Sequence, residues 1–367
     1  MPEPLLLDHF DPTARWMRRG GRENDVVLSS RVRLARNLNR YQFPHLAGTR
    51  DLISVRYRAV LALEKAAPGA PGLLMVPFEE FAHWERQSLI DRHLTSREHI
   101  KEELGRAVCA TSDGALSVLI NEEDHLRLQT LLPGLQLDAA YALADKLDDA
   151  LESYFDERGG LAFDPQFGFL TACPTNAGTG LRVSAMLHLP ALEITGKLES
   201  VRVWASGRSL ALRGTFGEGS KVWGHLHQLS NQATLGLDET EILLEMDEAT
   251  REVSEQERAA RAALPTQFAL EARDRIGRAF GTLRYARTLP CREATEALSM
   301  LRLGHEIGWM KGISRQKFNE LLVWIRPAYL QVAQGRVLSG AQRDARRAEL
   351  LRPTITRVKL ESGFDEA

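Results

Sequence analysis

The stretch LRVSAMLHLPAL, residues 181–192, decides the fold class that the sequence predicts. Its apolar residues alternate with small or polar ones, which is typical of a strand with one face in the core. Similar runs flank it: FGFLTA (167–172), SVRVWASGRSLALRGT (200–215) and VWGHLHQLSNQATL (222–235). The Ser-Gly pair at 206–207 predicts a hairpin turn. Because no helical pattern separates these runs, we expect an α+β fold with an antiparallel sheet flanked by helices.

The segments on either side extend this prediction. Further strands are expected at 26–38 (VVLSSRVRLARNL), 73–78 and 115–121, and helices at 49–66 and 141–155. SREHIKEEL begins with a capping signal at Ser96, which predicts a third helix. Asp238 and Glu241 predict a capping box, and helical patterning continues from there almost to the end of the chain. We therefore expect two domains: residues 1–255, which hold the sheet, and residues 265–367, an all-helical C-terminal domain suited to oligomerisation.

The composition limits the classes of partner. The chain has 367 residues, a net charge of -2, and 39 arginines against eight lysines. Because opposite charges nearly cancel, no overall field recruits nucleic acid or an anionic membrane. Cys109, Cys173 and Cys291 are far apart and predict neither a disulfide framework nor a structural zinc site. No apolar run is long enough to span a membrane and no signal peptide is recognisable, so we expect a cytoplasmic protein.

Four short stretches place charge where a buried sheet would carry apolar residues. They are SSRVR, NEEDHLR, GTGLR and RGTFGEG, and together they contain Arg31, Arg33, Arg127, Arg182 and Arg213. A guanidinium stays charged in any site, and its planar fork binds phosphate oxygens in pairs. Codon bias is one explanation of the many arginines, and phosphate binding is the other. A cluster of arginines suits a nucleoside triphosphate and a phosphoryl group in transfer, with Mg²⁺ as the other usual requirement.

Two carboxylates, Glu123 and Glu218, accompany these arginines. Carboxylates that faced a nucleotide would repel it, so we expect them to face a cation that receives the phosphoryl group. A guanidinium substrate fits, because its nitrogen becomes nucleophilic only when carboxylates orient the group and accept a proton. Cys173 could add a thiolate beside the same guanidinium. Each residue alone is more often an ion-paired, turn or small buried residue, so the prediction depends on their combination.

These motifs together resemble the phosphagen (guanidino) kinase family. SSRVR, NEEDHLR, CPTNAGTGLR, RGTFGE and SNQATLG occur in that family's order and spacing over roughly residues 20–250. The resemblance implies an antiparallel sheet flanked by helices, with ATP and Mg²⁺ as the donor. It implies that the five arginines contact the nucleotide phosphates, and that Glu123, Glu218 and Cys173 surround the acceptor guanidinium.

Histidines on the nucleotide side match this family only in part. His93, in DRHLTS, stands where the family has a nucleotide-side histidine. A second such histidine is not matched, because Met186 occupies its position and His188 follows two residues later. The contacts to the adenine ring are therefore left open.

The C-terminal third resembles a particular branch, the bacterial protein-arginine kinases of the McsB type. The resemblance is carried by RYARTLPCREATEALSMLRLGHEIGWMKGIS and FNELLVWIRPAYLQ. RDARRA matches the RDxxRA motif of those enzymes, which implies a phosphoarginine-binding pocket formed by Arg343, Asp344 and Arg347. Because SSRVR begins at residue 29, we expect no N-terminal helical domain of the kind that helps to enclose a small acceptor in kinases of free creatine or arginine.

Protein-arginine phosphorylation is therefore the expected activity, and the resemblance also implies partners. These are protein substrates, a second copy of the chain in a homodimer, a zinc-binding activator protein and a Clp-type ATPase or protease that receives the marked proteins. Two alternatives remain at this point. The chain could phosphorylate a free guanidino compound, or it could be a phosphoarginine-binding protein without catalysis. An intact set of phosphate-binding arginines and two acidic residues argues against the second alternative.

Overall fold

A computed structural model describes residues 6–66, 72–214 and 222–365. Its main sheet has eight strands in the order β2-β3-β4-β5-β1-β8-β10-β9, and each neighbouring pair is antiparallel. The strands of this sheet are β1 (Val27–Arg36), β2 (Leu74–Pro77), β3 (Ala107–Ala110), β4 (Leu116–Ile120), β5 (Leu126–Pro133), β8 (Leu181–His188), β9 (Leu210–Gly214) and β10 (Leu226–Asn231). Two short ribbons pair β6 (Phe163–Asp164) with β7 (Gly168–Phe169) and β11 (Met310–Lys311) with β12 (Lys359–Leu360). The predicted antiparallel sheet is confirmed.

The described helices fall into two groups along the chain. Five lie among the strands: α1 (Thr49–Ala66), α2 (His83–Asp91), α3 (Leu137–Asp156), α4 (Pro190–Ile194) and α5 (Leu198–Gly207). Seven follow the last long strand: α6 (Glu239–Gln267), α7 (Ala269–Tyr285), α8 (Cys291–Glu306), α9 (Arg315–Trp324), α10 (Pro327–Val332), α11 (Gly340–Ile355) and α12 (Ser362–Asp365). None of the described helices combines the length and the apolarity that crossing a bilayer requires.

The two faces of the sheet have different chemistry. On β1, Val32 and Leu34 are buried on one face, where α3 packs across the strand. Arg31 and Arg33 alternate with them and therefore point to the opposite face. The long helix α3 supplies an apolar stripe that includes Ala140, Ala144, Leu147 and Leu151, spaced at three or four residues. The apolar core thus lies on one side of β1, and the other side is left for charged residues.

The sequence-based prediction of a hairpin in residues 200–215 is wrong in its first half. Residues 198–207 form α5, and only the second half forms a strand, β9. Leu198, Val201 and Ala205 are buried and have helical spacing, whereas Val203 is exposed. Because burial favours this helical face, packing overrides the strand preference of the β-branched valines. Two helices, α4 and α5, therefore separate β8 from β9, although the antiparallel arrangement holds.

Other boundaries differ in smaller ways. The Ser96 hydroxyl accepts a hydrogen bond from the His99 backbone N–H (3.1 Å), as a cap does, but only a short 3₁₀ turn, His99–Lys101, follows. FGFLTA contributes only the two residues of β7. The capping box of Asp238 and Glu241 is confirmed. The helix that it begins, α6, continues without a break through the predicted boundary at 255–265, so the division into two domains remains a prediction.

Candidate active site

Strand register places four of the predicted arginines on one face of the sheet. Arg33 on β1 lies directly opposite Arg182 on β8 and Gln129 on β5, and Arg127 lies two residues before Gln129. Residues opposite each other in neighbouring strands share a face, and so do residues two apart in one strand. Arg31 is two residues before Arg33 and therefore belongs to the same face. We call this face, with Arg31, Arg33, Arg127, Arg182 and Arg213, the arginine face.

Arg213 joins the arginine face through the next strands. On β10, Gln228 lies opposite Met186 of β8 on one side and opposite Arg213 of β9 on the other. Met186 is four residues beyond Arg182, so the side chains of all these residues project to the same side. The five arginines that the motifs predict are thus brought together across β5, β1, β8 and β9.

The guanidinium groups on this face repel one another. Burial lowers the pKa of Arg31 to about 10, and the charges of Arg127 and Arg182 act in the same direction. The pKa of Arg33 is lowered well below its usual value, first by burial and then by the charges of Arg31, Arg127 and Arg182. The Nε atoms of Arg31 and Arg33 are buried and have no hydrogen-bond partner among the described residues. An anion with several oxygens would relieve the repulsion and satisfy these donors, so the face fits a polyphosphate.

The acidic turn between β4 and β5 meets the arginine face at Arg127. Its guanidinium bonds Glu122 Oε2 (2.6 Å) through Nη1 and Glu123 Oε2 (2.7 Å) through Nη2. Glu122 is buried and also accepts a hydrogen bond from the Ser96 hydroxyl (2.6 Å). Burial acts to raise its pKa, but Arg127 and Ser96 outweigh that effect and the net pKa is lowered. Glu122 is therefore a fixed anion that orients Arg127.

Glu123 is the more accessible carboxylate of the turn, with its side chain 40% exposed. Its pKa is raised, first by partial burial and then by the charges of Asp124 and Glu122, against the opposing effect of Arg127. A carboxylate at the edge of a site with a raised pKa is suited to accept a proton from an incoming group.

Asp124 and His125 hold the turn in place. Asp124 Oδ1 accepts hydrogen bonds from Asn37 Nδ2 and from the backbone N–H of Ala172, both at 2.7 Å. His125 Nδ1 accepts from the Leu38 backbone N–H (3.1 Å), and its Nε2 donates to a backbone carbonyl at residue 42 (2.9 Å). Burial lowers the pKa of His125 to about 4, so the ring is neutral near neutral pH. The three consecutive acidic residues Glu122, Glu123 and Asp124 therefore do not share one role, because Asp124 is fully buried in this scaffold.

Cys173 lies at the edge of the arginine face and is partly exposed. Its Sγ is 3.0 Å from Thr175 Oγ1, and it is close enough to Arg182 to act on that residue's pKa. The charges that act on Arg182 come from Arg213, Arg127, Cys173 and Glu123. Arg182 therefore lies among the predicted donor and acceptor residues. Glu218, the second predicted carboxylate, lies outside the described residues.

The two histidines differ in their surroundings. His93 has a left-handed backbone (φ 63°), and its ring packs edge-on against Trp16 at 5.2 Å between ring centres. Burial lowers its pKa to about 3, and Arg31 adds to the effect, which places His93 next to the arginine face. His188 is buried against α8, where Nε2 is 2.7 Å from Ser299 Oγ. His188 therefore belongs to the packing of the C-terminal helices.

The RDARRA motif lies on α11. Arg347 is buried and donates to the carbonyls of Ile325 and Leu289 (both 2.6 Å), and it pairs with Asp344 (2.6 Å). Arg343 makes a longer contact to Gln331 Oε1 (3.4 Å). Most donors of Arg347 are thus used within the fold, whereas Arg343 and Asp344 are partly exposed.

The sequence prediction missed residues that complete this site. Gln228 accepts a hydrogen bond from Arg31 (3.2 Å). Ser184 lies opposite Arg31 on the same face, and its buried hydroxyl has no hydrogen-bond partner within the described ranges. Strand alternation after Arg182 indicates Ser184, whereas nothing in the sequence indicates the role of Asn37. Among the described residues, no three His, Cys, Asp or Glu side chains form a candidate metal cluster.

Comparison with known proteins agrees with this geometry. Residues 54–260 match the family model of the ATP:guanido phosphotransferase C-terminal catalytic domain, and residues 269–364 match that of the protein-arginine kinase McsB C-terminal domain. The protein-arginine kinase of Desulforamulus reducens is 42% identical over 353 residues, which cover 96% of this chain and 98% of the relative. That of Moorella thermoacetica is 42% identical over 350 residues, with 95% and 99% covered.

Solved structures resemble the fold at lower identity. Lombricine kinase superposes with a TM-score of 0.58 at 22% identity and covers 71% of this chain and 72% of that chain. The duplicated taurocyamine kinase from Schistosoma mansoni with bound transition state analog components gives a TM-score of 0.57 at 23% identity, with 70% and 36% covered. At this identity the likeness concerns the fold alone. With the two family models and the full-length relatives, it follows that this chain belongs to the ATP:guanido phosphotransferase family, in its protein-arginine kinase branch.

Proposed function

We propose that this enzyme transfers the γ-phosphoryl group of ATP to the guanidinium of arginine side chains in proteins. The observation that carries the proposal is the position of Arg182, which is acted on by cations of the arginine face and by the acceptor-side residues Glu123 and Cys173. The arginines and the acceptor-side residues thus lie on separate sides of one site. Donor phosphates and a cationic acceptor can therefore be held side by side, which is what phosphoryl transfer requires.

On the donor side, the arginine face would hold the ATP phosphates. The Nε atoms of Arg31 and Arg33 support this role, because each is a buried donor that finds no acceptor in the part of the chain that the structure describes. We propose that Arg127, Arg182 and Arg213 contact the transferring group and that His93, neutral at physiological pH, lies on the nucleotide side. Mg²⁺ would accompany the phosphates, whose oxygens are its preferred ligands.

On the acceptor side, Glu123 would orient the substrate guanidinium and accept its proton. A new bond forms between an arginine nitrogen and the γ-phosphorus as the bond to the β,γ-bridging oxygen breaks. ADP leaves with that electron pair, and the proton lost from the nitrogen passes to the Glu123 carboxylate. Glu218 is proposed as a second carboxylate and Cys173 as a thiolate beside the same guanidinium. The product is phosphoarginine.

The C-terminal helices are proposed to carry a separate function. Arg343, Asp344 and Arg347 would form a phosphoarginine-binding pocket, which the partial exposure of Arg343 and Asp344 supports. By likeness to the family, we propose a homodimer, a zinc-binding activator protein and delivery of phosphorylated proteins to a Clp-type ATPase or protease. These partners and the chain itself would be cytoplasmic.

A parallel assay tests the substrate class. The enzyme is incubated with ATP and Mg²⁺, with casein in one reaction and free arginine in the other. We expect acid-labile phosphate on casein arginines, detected by intact mass before and after mild acid. Transfer to free arginine without labelling of casein would favour the alternative, a phosphagen kinase of a free guanidino compound. Binding of phosphoarginine without transfer in either reaction would favour a non-catalytic binding protein.

A further inference from the structure

A cavity lies where β1 leaves the sheet, on the side of α1 and α3. It has a volume of about 270 Å³, and its polar lining includes Arg40, Arg58 and Arg158. Tyr41 and Phe155 contribute aromatic surface. None of the described residues that line the cavity is acidic. It is separate from the arginine face, with which it shares no residue.

Two of the three arginines have no polar partner in the described part of the chain. Arg40 and Arg58 make no hydrogen bond or ion pair there, and Arg58 only approaches the Tyr41 ring, at 5.8 Å from its centre. Arg56, two residues earlier on the same helix, is instead bonded to Glu79 at 2.6 Å. The cavity therefore contains positive charge that the fold does not neutralise.

The third arginine is partly engaged. Arg158 donates to the Tyr154 carbonyl (2.6 Å) and lies over the Tyr154 ring. The nearest carboxylate to it is Glu157 at 3.8 Å, and this carboxylate is 84% exposed, so solvent weakens the pair. Arg158 thus keeps donors available on the cavity side.

Backbone geometry holds Arg40 at this cavity. Arg40 has φ 76°, which is a left-handed backbone conformation that residues other than glycine rarely adopt. Gly159, with φ 114°, lies under its side chain: a Cβ at that position would be 3.4 Å from Arg40 Cδ and Nε. Arg40 therefore has an unfavourable backbone conformation, and the glycine beside it leaves space for its side chain. Together these features place the Arg40 guanidinium along the cavity wall.

We propose that this cavity is a second oxyanion site that binds a phosphoryl group. Three guanidinium groups match the two negative charges and the several oxygens of a phosphoryl dianion. A carboxylate has one charge and two oxygens, so it would pair with only one guanidinium group. The cavity volume accommodates one phosphoryl group and the few atoms that link it to its carrier, packed against Tyr41. The phosphoryl group is carried on a protein side chain or is free phosphate, and the chemistry that recognises it is the same.

The cavity is connected to the acceptor side of the active site. The chain leaving β1 bonds to the acidic turn through His125, which contacts the backbone of residue 38 and of residue 42. Residues 38–41 also line the cavity. The cavity itself lies on the α3 side of the sheet, whereas the arginine face lies on the opposite side. Binding in the cavity therefore does not depend on the proposed function.

Phosphate binding by the full chain tests the site without any transfer reaction. The arginine face is first saturated with a non-hydrolysable ATP analogue, and inorganic phosphate is then titrated by calorimetry. Relative to the unsubstituted chain, the double variant Arg40→Gln/Arg58→Gln is expected to lose one binding event or to weaken it by about tenfold or more, since charge-assisted hydrogen bonds are removed. Arg50→Gln, an exposed change of the same charge on α1, is the matched control and is expected to bind as the unsubstituted chain does.

Equal phosphate binding in the double variant and in Arg50→Gln would overturn the proposal. Circular dichroism checks that the variants fold, and Arg58→Gln alone, at an exposed helix position, replaces the double variant if that variant does not fold. A peptide with one phosphoarginine is titrated into the unsubstituted chain and into the double variant, so that binding at Arg343, Asp344 and Arg347 is common to both. A larger loss of affinity than for inorganic phosphate indicates a group carried on protein, and an equal loss indicates free phosphate. A glutamate peptide that bound as tightly as the phosphorylated one would also contradict the proposal.

Discussion

At the scale of single residues, Arg182 lies between the residues that we propose for the donor side and those that we propose for the acceptor side. Burial lowers its pKa, Arg213 and Arg127 lower it further, and Cys173 and Glu123 act in the opposite direction. A guanidinium in this position can contact a phosphoryl group while it moves from donor to acceptor. Its interactions should therefore be stronger in the transition state than in the bound substrates.

Replacing Arg182 with alanine is expected to lower the rate of transfer by about 100-fold to 1000-fold, as the removal of one transition-state contact does. Nucleotide affinity should also fall, because one phosphate partner is lost. Steady-state kinetics and nucleotide titration measure both quantities. Arg357→Ala, an exposed change in the turn that follows α11, serves as control. Equal activity in the two variants would contradict the role of Arg182.

The pH dependence of transfer should report the ionisation of Glu123. The carboxylate accepts a proton only when ionised, so activity is present above its pKa and is lost as the pH falls through it. Because the pKa is raised above 4.5, the acid limb of kcat should lie above that value. Glu122→Gln removes a neighbouring negative charge that raises this pKa, so the limb should move to lower pH. A limb that moved to higher pH would contradict the assignment.

Sequence motifs predicted the residues of the arginine face well, because strand alternation and chain order together determine a face. They did not predict how the acidic triplet divides its roles. Glu122 and Asp124 are turned inward by Ser96 and Asn37, residues distant in sequence whose contacts depend on the assembled fold. Local sequence carries no signal of such partners.

At the scale of elements, one ion pair ties the central strand to α3. Arg36 donates to both carboxylate oxygens of Asp148, with Nη2 2.5 Å from Oδ2, and its side chain and that of Asp148 are 3% and 9% exposed. Arg36 also lies over the Phe169 ring at 3.5 Å. The strand that presents the arginine face is therefore fixed to the helix behind it.

Asp148→Ala should destabilise the fold by about 3 kcal/mol, because breaking a buried pair leaves an uncompensated charge. Asp149→Ala, at the exposed neighbouring position on α3, should change the free energy of unfolding by less than about 0.5 kcal/mol. Urea unfolding at neutral pH measures both. Similar values for the two variants would show that the pair does not stabilise the position of the strand.

Elements were predictable where local pattern and burial agree. The helix predicted at 49–66 coincides with α1, and its apolar positions have helical spacing. Around residue 200, β-branched valines favour a strand, but Val201 faces the core of a helix and Val203 faces solvent. Which of the two patterns prevails is decided by the sheet that α5 packs against, and that sheet forms from distant segments.

At the scale of the whole molecule, the C-terminal helices pack against the N-terminal segment and the sheet. Arg302 and Arg315 donate to Asn24 O (3.2 Å) and Asn24 Oδ1 (2.6 Å), and Thr13 donates to Glu320 Oε1 (3.0 Å). A single apolar cluster includes side chains from β1 to α11. The core is therefore continuous between the region of the sheet and the region of the helices.

Because of this shared core, the chain should unfold in a single cooperative transition. Tryptophans lie in both regions, for example Trp16 and Trp309, so fluorescence reports on both while circular dichroism reports on helices. Coincident urea midpoints for the two signals are expected, as two-state unfolding requires. Two separated midpoints would instead indicate that the proposed domains 1–255 and 265–367 unfold independently.

Composition and patterning predicted an antiparallel sheet followed by helices, but not how the second part sits on the first. That arrangement depends on contacts such as His188 with Ser299, which join segments more than a hundred residues apart. A histidine in a strand gives no indication of such a partner. The packing of the helices on the sheet therefore had to be seen in the structure.

The separation of nucleotide binding from transfer in Glu123→Gln tests the central claim most directly. The substitution removes a proton acceptor at the acceptor side and leaves the arginine face intact. We predict that nucleotide affinity stays within about threefold of the unsubstituted enzyme while phosphorylation of casein arginines falls by at least about 100-fold. Casein phosphorylation at the unsubstituted rate would contradict the account, and so would loss of nucleotide binding with transfer retained.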